Sequence, residues 1–136
     1  MYYEIKLKVN KVDEKSGEEK EVKEHYITDV DLFAEAEQKG LELYASDNMD
    51  CDVFAVSRSN IIEIVNKKEE GKHFFKATIV DTQIDDKGKE VEKKYYNLVC
   101  AKDVREANVI MEQQLSQGLS DMRLDGIVKT KIIDLI

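Results

Sequence analysis

The sequence predicts an α+β fold built by internal duplication of a ββαβ unit (ββαβ-ββαβ), with antiparallel-rich sheet or sheets, two helices and pseudo-twofold symmetry. Three observations carry this. "NIIEIVN" (60–66) and "KIIDLI" (131–136) are nearly the same word, and a shift of 71 residues lays Ile61, Ile62, Glu63, Ile64 and Val65 on Ile132, Ile133, Asp134, Leu135 and Ile136. The same shift lays "YITDVDLFAEAE" (26–37) on "NLVCAKDVREAN" (97–108), with Glu35 and Ala36 on Glu106 and Ala107. Each half also runs through the same succession of hydrophobic periods, which marks a repeated supersecondary unit.

The elements follow in order. Tyr3, Ile5, Leu7 and Val9 alternate with Glu4, Lys6, Lys8 and Asn10, the period of two of a half-buried strand, and Phe75, Ala77 and Ile79 repeat it. "DEKSGEE" and "DDKGKE" are polar and offer Gly17 and Gly88 for a positive φ, so each predicts a hairpin loop. The returning strands run through "VKEHYITDV" and "EKKYYNLVCA". Asp31 then precedes Leu32, Phe33, Ala36, Gly40, Leu41 and Tyr44 at helical spacing, which predicts a helix capped by Asp31. In the second half Lys102 or Asp103 opens a helix through Val104, Ala107, Met111 and Leu115, with Gly118 as its stop. One closing strand per unit is expected from "DVFAVSRSNIIEIV" and "RLDGIVKTKIIDLI", each long enough to need a bulge or bend near Ser59 and Thr130.

The chain thus reads as a single compact domain of two repeats, 1–66 and 73–136, joined by a charged linker at 67–72. Each repeat has about 65 residues, marginal for independent stability, so their apolar faces are expected to pack together or their strands to share a sheet.

"YITDVDLFAEAE", "FAVSRSNIIEIV" and "GIVKTKIIDLI" resemble the pattern of small uncharacterised proteins from Bacteroidota and their phages, domain of unknown function 4494, and the resemblance covers nearly the whole chain. It implies a bacterial or phage origin and transfers no functional residue. The chain departs from the pattern by ending at Ile136 without a tail.

Composition narrows the class. At 42% hydrophobic and 37% charged, the 136 residues are too apolar for a disordered chain and too charged for a bilayer. The start "MYYEIKLKV" has no leader pattern, and two cysteines, Cys51 and Cys100, are too few for a disulfide framework. A cytoplasmic protein with reduced thiols is expected, without membrane association. Residues 1–68 carry 10 basic and 16 acidic side chains, and 69–136 carry 11 and 13, within a net charge of -8. Broad nucleic-acid binding is therefore disfavoured.

Chemistry-bearing motifs are sparse. His25 and His73 lie outside any metal spacing and read as strand and linker positions. Cys51 reads as an exposed loop thiol open to slow oxidation and Cys100 as a half-buried strand residue. Asp47, Asn48, Asp50 and Asp52 alternate as calcium ligands would, but without the sixth-position glycine and twelfth-position glutamate of an EF-hand, and a solvated turn is expected. No nucleophile and base set, metal site or cofactor motif can be assembled, so no enzyme and no cofactor is expected. "KKYYNL" interleaves basic and aromatic residues. Lys93, Lys94, Tyr95 and Tyr96 would join Lys129 and Lys131 as a ligand-binding strip if the last strand lies alongside.

The leading expectation is a non-enzymatic binding or adaptor protein of bacterial or phage origin, acting through protein contacts or self-association, with a homodimer possible across open strand edges. The alternative is a nucleotide or single-stranded nucleic-acid binder, for example sequestering a signalling nucleotide, using the cleft between the repeats.

Overall fold

The computed structural model describes residues 1–47, 49–66, 71–118 and 121–136. Its eight strands and two helices form two compact units, one of residues 1–59 with 131–136, the other of residues 60–130. Each holds one mixed four-stranded sheet, so the fold is α+β.

In unit 1, β1 (Tyr2–Val12) and β2 (Glu19–Asp29) form an antiparallel hairpin in register from Tyr2 opposite Asp29 to Val12 opposite Glu19. Gly17, at φ +71°, takes the left-handed conformation of the loop, and its N–H donates to the Asp13 carbonyl at 2.7 Å. Helix α1 (Phe33–Glu42) leads through a 3-10 turn (Ala45–Asp47) to β3 (Cys51–Arg58), which pairs antiparallel with β1. The sheet order is β3-β1-β2-β8, where β8 (Ile132–Leu135) runs parallel to β2.

Unit 2 opens with β4 (Ile61–Val65), followed by the hairpin of β5 (His73–Ile84) and β6 (Glu90–Ala101), helix α2 (Val104–Ser116) and β7 (Met122–Lys129). The order is β4-β6-β5-β7, with β4 parallel to β6. Gly88, at φ +78°, plays the hairpin role predicted for it.

The single closing strands expected from the sequence are each two strands. β1 begins at Tyr2 and pairs Tyr3 with Arg58, and the Ser59 N–H makes a last bond to the Tyr2 carbonyl at 2.8 Å. Beyond Ser59 no β1 residue remains to pair with, so the chain leaves the sheet and continues as β4 in the other one. At the matching point of unit 2, Thr130 donates its N–H and Oγ1 to the Phe74 carbonyl, at 3.0 and 2.8 Å, and β7 ends its pairing although β5 continues to His73. The bulges lie elsewhere. Phe54 is skipped between Val53 and Ala55 opposite β1, and Asp125 between Leu124 and Gly126 opposite β5.

The helices also differ from expectation in detail. α1 is capped by Leu32 in extended geometry without a side-chain bond, one residue after the Asp31 that the sequence offered. Of the residues at helical spacing, Leu32, Phe33 and Leu41 are exposed, and Ala36 and Gly40 are the buried residues of the helix. Close approach explains why these two are the buried ones. A Cβ on Gly40 would stand 2.9 Å from Ile5 Cγ2 and 3.1 Å from Val53 Cγ2, so small residues seat the helix on the sheet. In α2, Asp103 is the cap, its carboxylate accepting from the Glu106 N–H at 2.8 Å, and Ala107 and Met111 face the core.

The helix-covered cores are Tyr3, Ile5, Leu7, Val9, Tyr26 and Ala36 in unit 1, and Phe75, Ala77, Ile79, Val99, Ala101, Ala107 and Met111 in unit 2. His73, expected in the linker, is the first residue of β5, and the expected linker at 67–72 lies largely outside the described residues.

Gly40→Val should lower unfolding stability by about 2 kcal/mol, because overpacking of a filled core costs about 1–3 kcal/mol, more than the few tenths of a kcal/mol that valine's better helix propensity returns. The check is a urea denaturation midpoint at unchanged slope; an unaltered midpoint would contradict the seating of α1.

Candidate functional site

The strip proposed from "KKYYNL" is divided by the fold. Lys93, Lys94, Tyr95 and Tyr96 lie on β6, whereas Lys129 ends β7, and β5 stands between those strands. Register separates them further, since Lys93 pairs with Asp81 and Lys129 with Phe75, at opposite ends of β5. Lys131 belongs to unit 1. Tyr95 packs against the helix-covered core, and the ring of Tyr96 is covered by the Lys76 ammonium at 4.5 Å from its centroid.

Lys131 instead meets residues that the sequence did not single out for binding. Lys6, Lys23, Glu24, His25, Phe54 and Lys131 line a cavity of about 310 Å³ in unit 1. Strand pairing makes it: Lys6 stands opposite His25 on β2 and opposite Ala55 on β3, where the bulge turns Phe54 outward. Ile132, directly after Lys131, pairs with His25. Lys8 extends the basic surface, its Nζ 5.0 Å from the Phe54 ring centroid. His25 Nε2 lies 2.8 Å from Glu4 Oε1.

The Glu24 carboxylate does not oppose these lysines, because it is engaged on the helix-covered face with Tyr26. Oε1 accepts from Tyr26 at 3.1 Å and, in a short bond, from the Tyr44 hydroxyl, while Oε2 takes the Lys11 ammonium at 3.0 Å. Burial alone would raise the Glu24 pKa, but the bonds from Tyr44, Lys11 and Tyr26 outweigh it and hold the carboxyl below its ordinary value. The Lys11 ammonium is raised by its bond to Glu24, and the Tyr26 hydroxyl is pushed far up by burial, then by Tyr44 and Glu24.

Beside the basic cavity is an acidic one of about 320 Å³, where Glu21, Asp50 and Asp52 face Lys8. This is where the oxygen-rich loop runs, although Asn48 lies outside the described residues. Among the described residues no group of three or more His, Cys, Asp or Glu could hold a metal ion. Cys51, read as an exposed loop thiol, is half-buried at the start of β3, and burial followed by the charges of Glu24 and Asp52 pushes its thiol up, away from the reactive thiolate. Cys100 is fully buried.

Among the described residues no helix is long and apolar enough to cross a membrane. The model of the family described as Domain of unknown function (DUF4494) matches residues 1–136. No curated protein matches the chain.

Glu24 supplies a pH-dependent part of stability. Its folded pKa is depressed, so that contribution is complete above the ordinary carboxylate pKa of 4.5 and is lost as pH falls through the lower folded value. Glu24→Gln should cost about 1–3 kcal/mol at pH 7 by leaving Lys11 and a tyrosine poorly paired, and should flatten the acid limb below pH 4.5. Urea midpoints from pH 3 to 7 check it; parallel acid limbs for both proteins would contradict it.

Proposed function

The chain belongs to the DUF4494 family, and from this premise we propose that it is a non-enzymatic binding protein whose unit 1 takes a small anionic ligand bearing a ring, of the nucleotide class. The observation that carries the reading is the lining of the 310 Å³ cavity: three lysines, a histidine and an exposed phenylalanine, with Glu24 the one acidic residue and bonded to Lys11, within a chain of net charge -8. A ring stacks on Phe54 while the ammonium groups of Lys6, Lys23 and Lys131 meet phosphate oxygens. The acidic remainder of the surface keeps long nucleic acids away, which favours a compact anion over a polymer. A cytoplasmic setting and a bacterial or phage origin belong to the same proposal. So does the duplication: the two halves repeat hairpin, helix and bulged edge strand, and the ligand surface would have arisen in one copy.

Titration calorimetry with nucleoside mono- and triphosphates, with the bare nucleoside and with inorganic phosphate as controls, tests it. Saturable binding that weakens with salt is expected, reduced about tenfold or more by Lys23→Ala or Phe54→Ala, a loss of about 1.4 kcal/mol. No saturable heat with any nucleotide, or undiminished binding in both variants, overturns the reading.

A second reading, an adaptor role through protein contacts or self-association, rests on the sheet edges. The edge strands β3, β7, β4 and β8 expose Phe54, Met122, Val128, Ile62 and Ile133. Light scattering after size exclusion should then show a dimer that Ile62→Lys disperses; a monomer at every concentration removes the self-association branch.

A further inference from the structure

Unit 2 holds a half-open cleft, under the C-terminal end of α2, of about 190 Å³. Ile62, Ile79, Tyr95, Leu115 and Met122 make its apolar wall. Asn97, also in the lining, is only 3% exposed, and its Oδ1 finds no hydrogen-bond partner among the described residues. A buried amide oxygen without a donor is unfavourable, and native interiors seldom leave one so. In unit 1 the 71-residue shift puts Glu24, Tyr26 and Tyr44 at the positions of Tyr95, Asn97 and Leu115. There the space is filled, because the hydroxyls of Tyr26 and Tyr44 both donate to Glu24. In unit 2 Leu115 stops short of that volume and brings no donor.

We propose that this cavity is a binding site for a small neutral ring-bearing molecule with one O–H or N–H donor, a phenol or indole type of ligand. The donor bonds to Asn97 Oδ1 while the ring lies among Ile62, Ile79, Leu115 and Met122. Size agrees, since an aliphatic cavity of about 150 Å³ accepts benzene, and 190 Å³ leaves room for a substituent. Charge agrees as well, because the apolar wall would strip water from an ion without a counter-charge to replace it. Gln114, whose Nε2 donates to Glu63 Oε2 at 3.3 Å, joins α2 to β4 at the lining and is the contact that entry would open. The site is independent of the anion cavity in unit 1.

The test is a titration of the full-length protein with phenol and with toluene, a ring of similar size without a donor, followed by amide chemical shifts. Saturable shifts centred on Asn97, Leu115 and Met122 are expected, with phenol bound about fivefold or more tighter than toluene. Asn97→Leu should abolish that preference. Leu115→Tyr, which copies the arrangement of unit 1 and offers Asn97 a hydroxyl, should raise the thermal midpoint and abolish binding of both probes. The proposal is overturned if neither probe gives saturable shifts, if the shifts map to Lys23 and Phe54 instead, or if wild type binds phenol and toluene equally. It is overturned too if Leu115→Tyr binds as well as wild type.

Discussion

Each sheet depends on a parallel strand delivered from the far side of a chain crossing. β2 would be an open edge without β8, and β6 without β4. The crossings come where β3 and β7 end their pairing, at Ser59, where β1 has no residue left, and at Thr130, short of the start of β5 at His73. Once across, the short strands satisfy groups that nothing nearby could reach. Thr28 Oγ1 donates to the Ile136 carbonyl at 2.7 Å, the Ile136 N–H donates to Ile27 at 2.9 Å, and Asn66 Nδ2 donates to the Cys100 carbonyl at 2.8 Å. These pairings join residues far apart in sequence, so unit 1 closes only when the last residues arrive, which raises contact order and slows folding relative to a simple hairpin and helix. The crossing also brings Lys131 to the basic cavity.

Both units bury a sheet face under one helix, yet they complete the core under the helix end by different means. Unit 1 uses a buried carboxylate saturated by two hydroxyls and an ammonium, an arrangement whose strength lies in leaving no member unpaired. Unit 2 uses mostly apolar side chains that leave space, and the Asn97 Oδ1 facing it finds no donor among the described residues. A half-satisfied polar site costs stability that a close-packed one does not.

Much of this architecture was legible in the residues. Period-two alternation placed β1 and β5, the positive-φ glycines placed the hairpins, and Ser59 and Thr130 marked where the closing segments change direction. What could not be read is pairing between strands distant in sequence. Period and composition give a strand its faces but not its neighbour, and Ile61–Val65 looks the same in either sheet. Helical spacing places Leu32, Phe33, Ala36, Gly40 and Leu41 in one stripe without saying which are buried, and how near the backbone must come selects Ala36 and Gly40. The basic cavity stayed hidden for the same reason as the strand order: Lys6, Lys23 and Phe54 come from three strands and Lys131 from the residue before a fourth, and only register assembles them. "KKYYNL" was visible because it is contiguous, and contiguity on a strand splits its side chains between two faces.

That geometry bears on where function can reside in so acidic a molecule. Distant charges are screened over about 8–10 Å at physiological ionic strength, so the net charge of -8 governs long-range encounter and a local cluster governs contact. Lys6, Lys23 and Lys131 share one face because alternation sends neighbouring side chains to the other, and Glu24, between Lys23 and His25 in sequence, is sent to the helix side and neutralised there by Lys11. A single β-strand thus carries a cation on one face and a committed anion on the other. Were the Glu24 network broken, its carboxylate would lose the partners that fix it among the core residues, and the separation of charge across the sheet would be lost with them. The polar network that completes the core of unit 1 therefore also keeps the opposite face of its sheet basic.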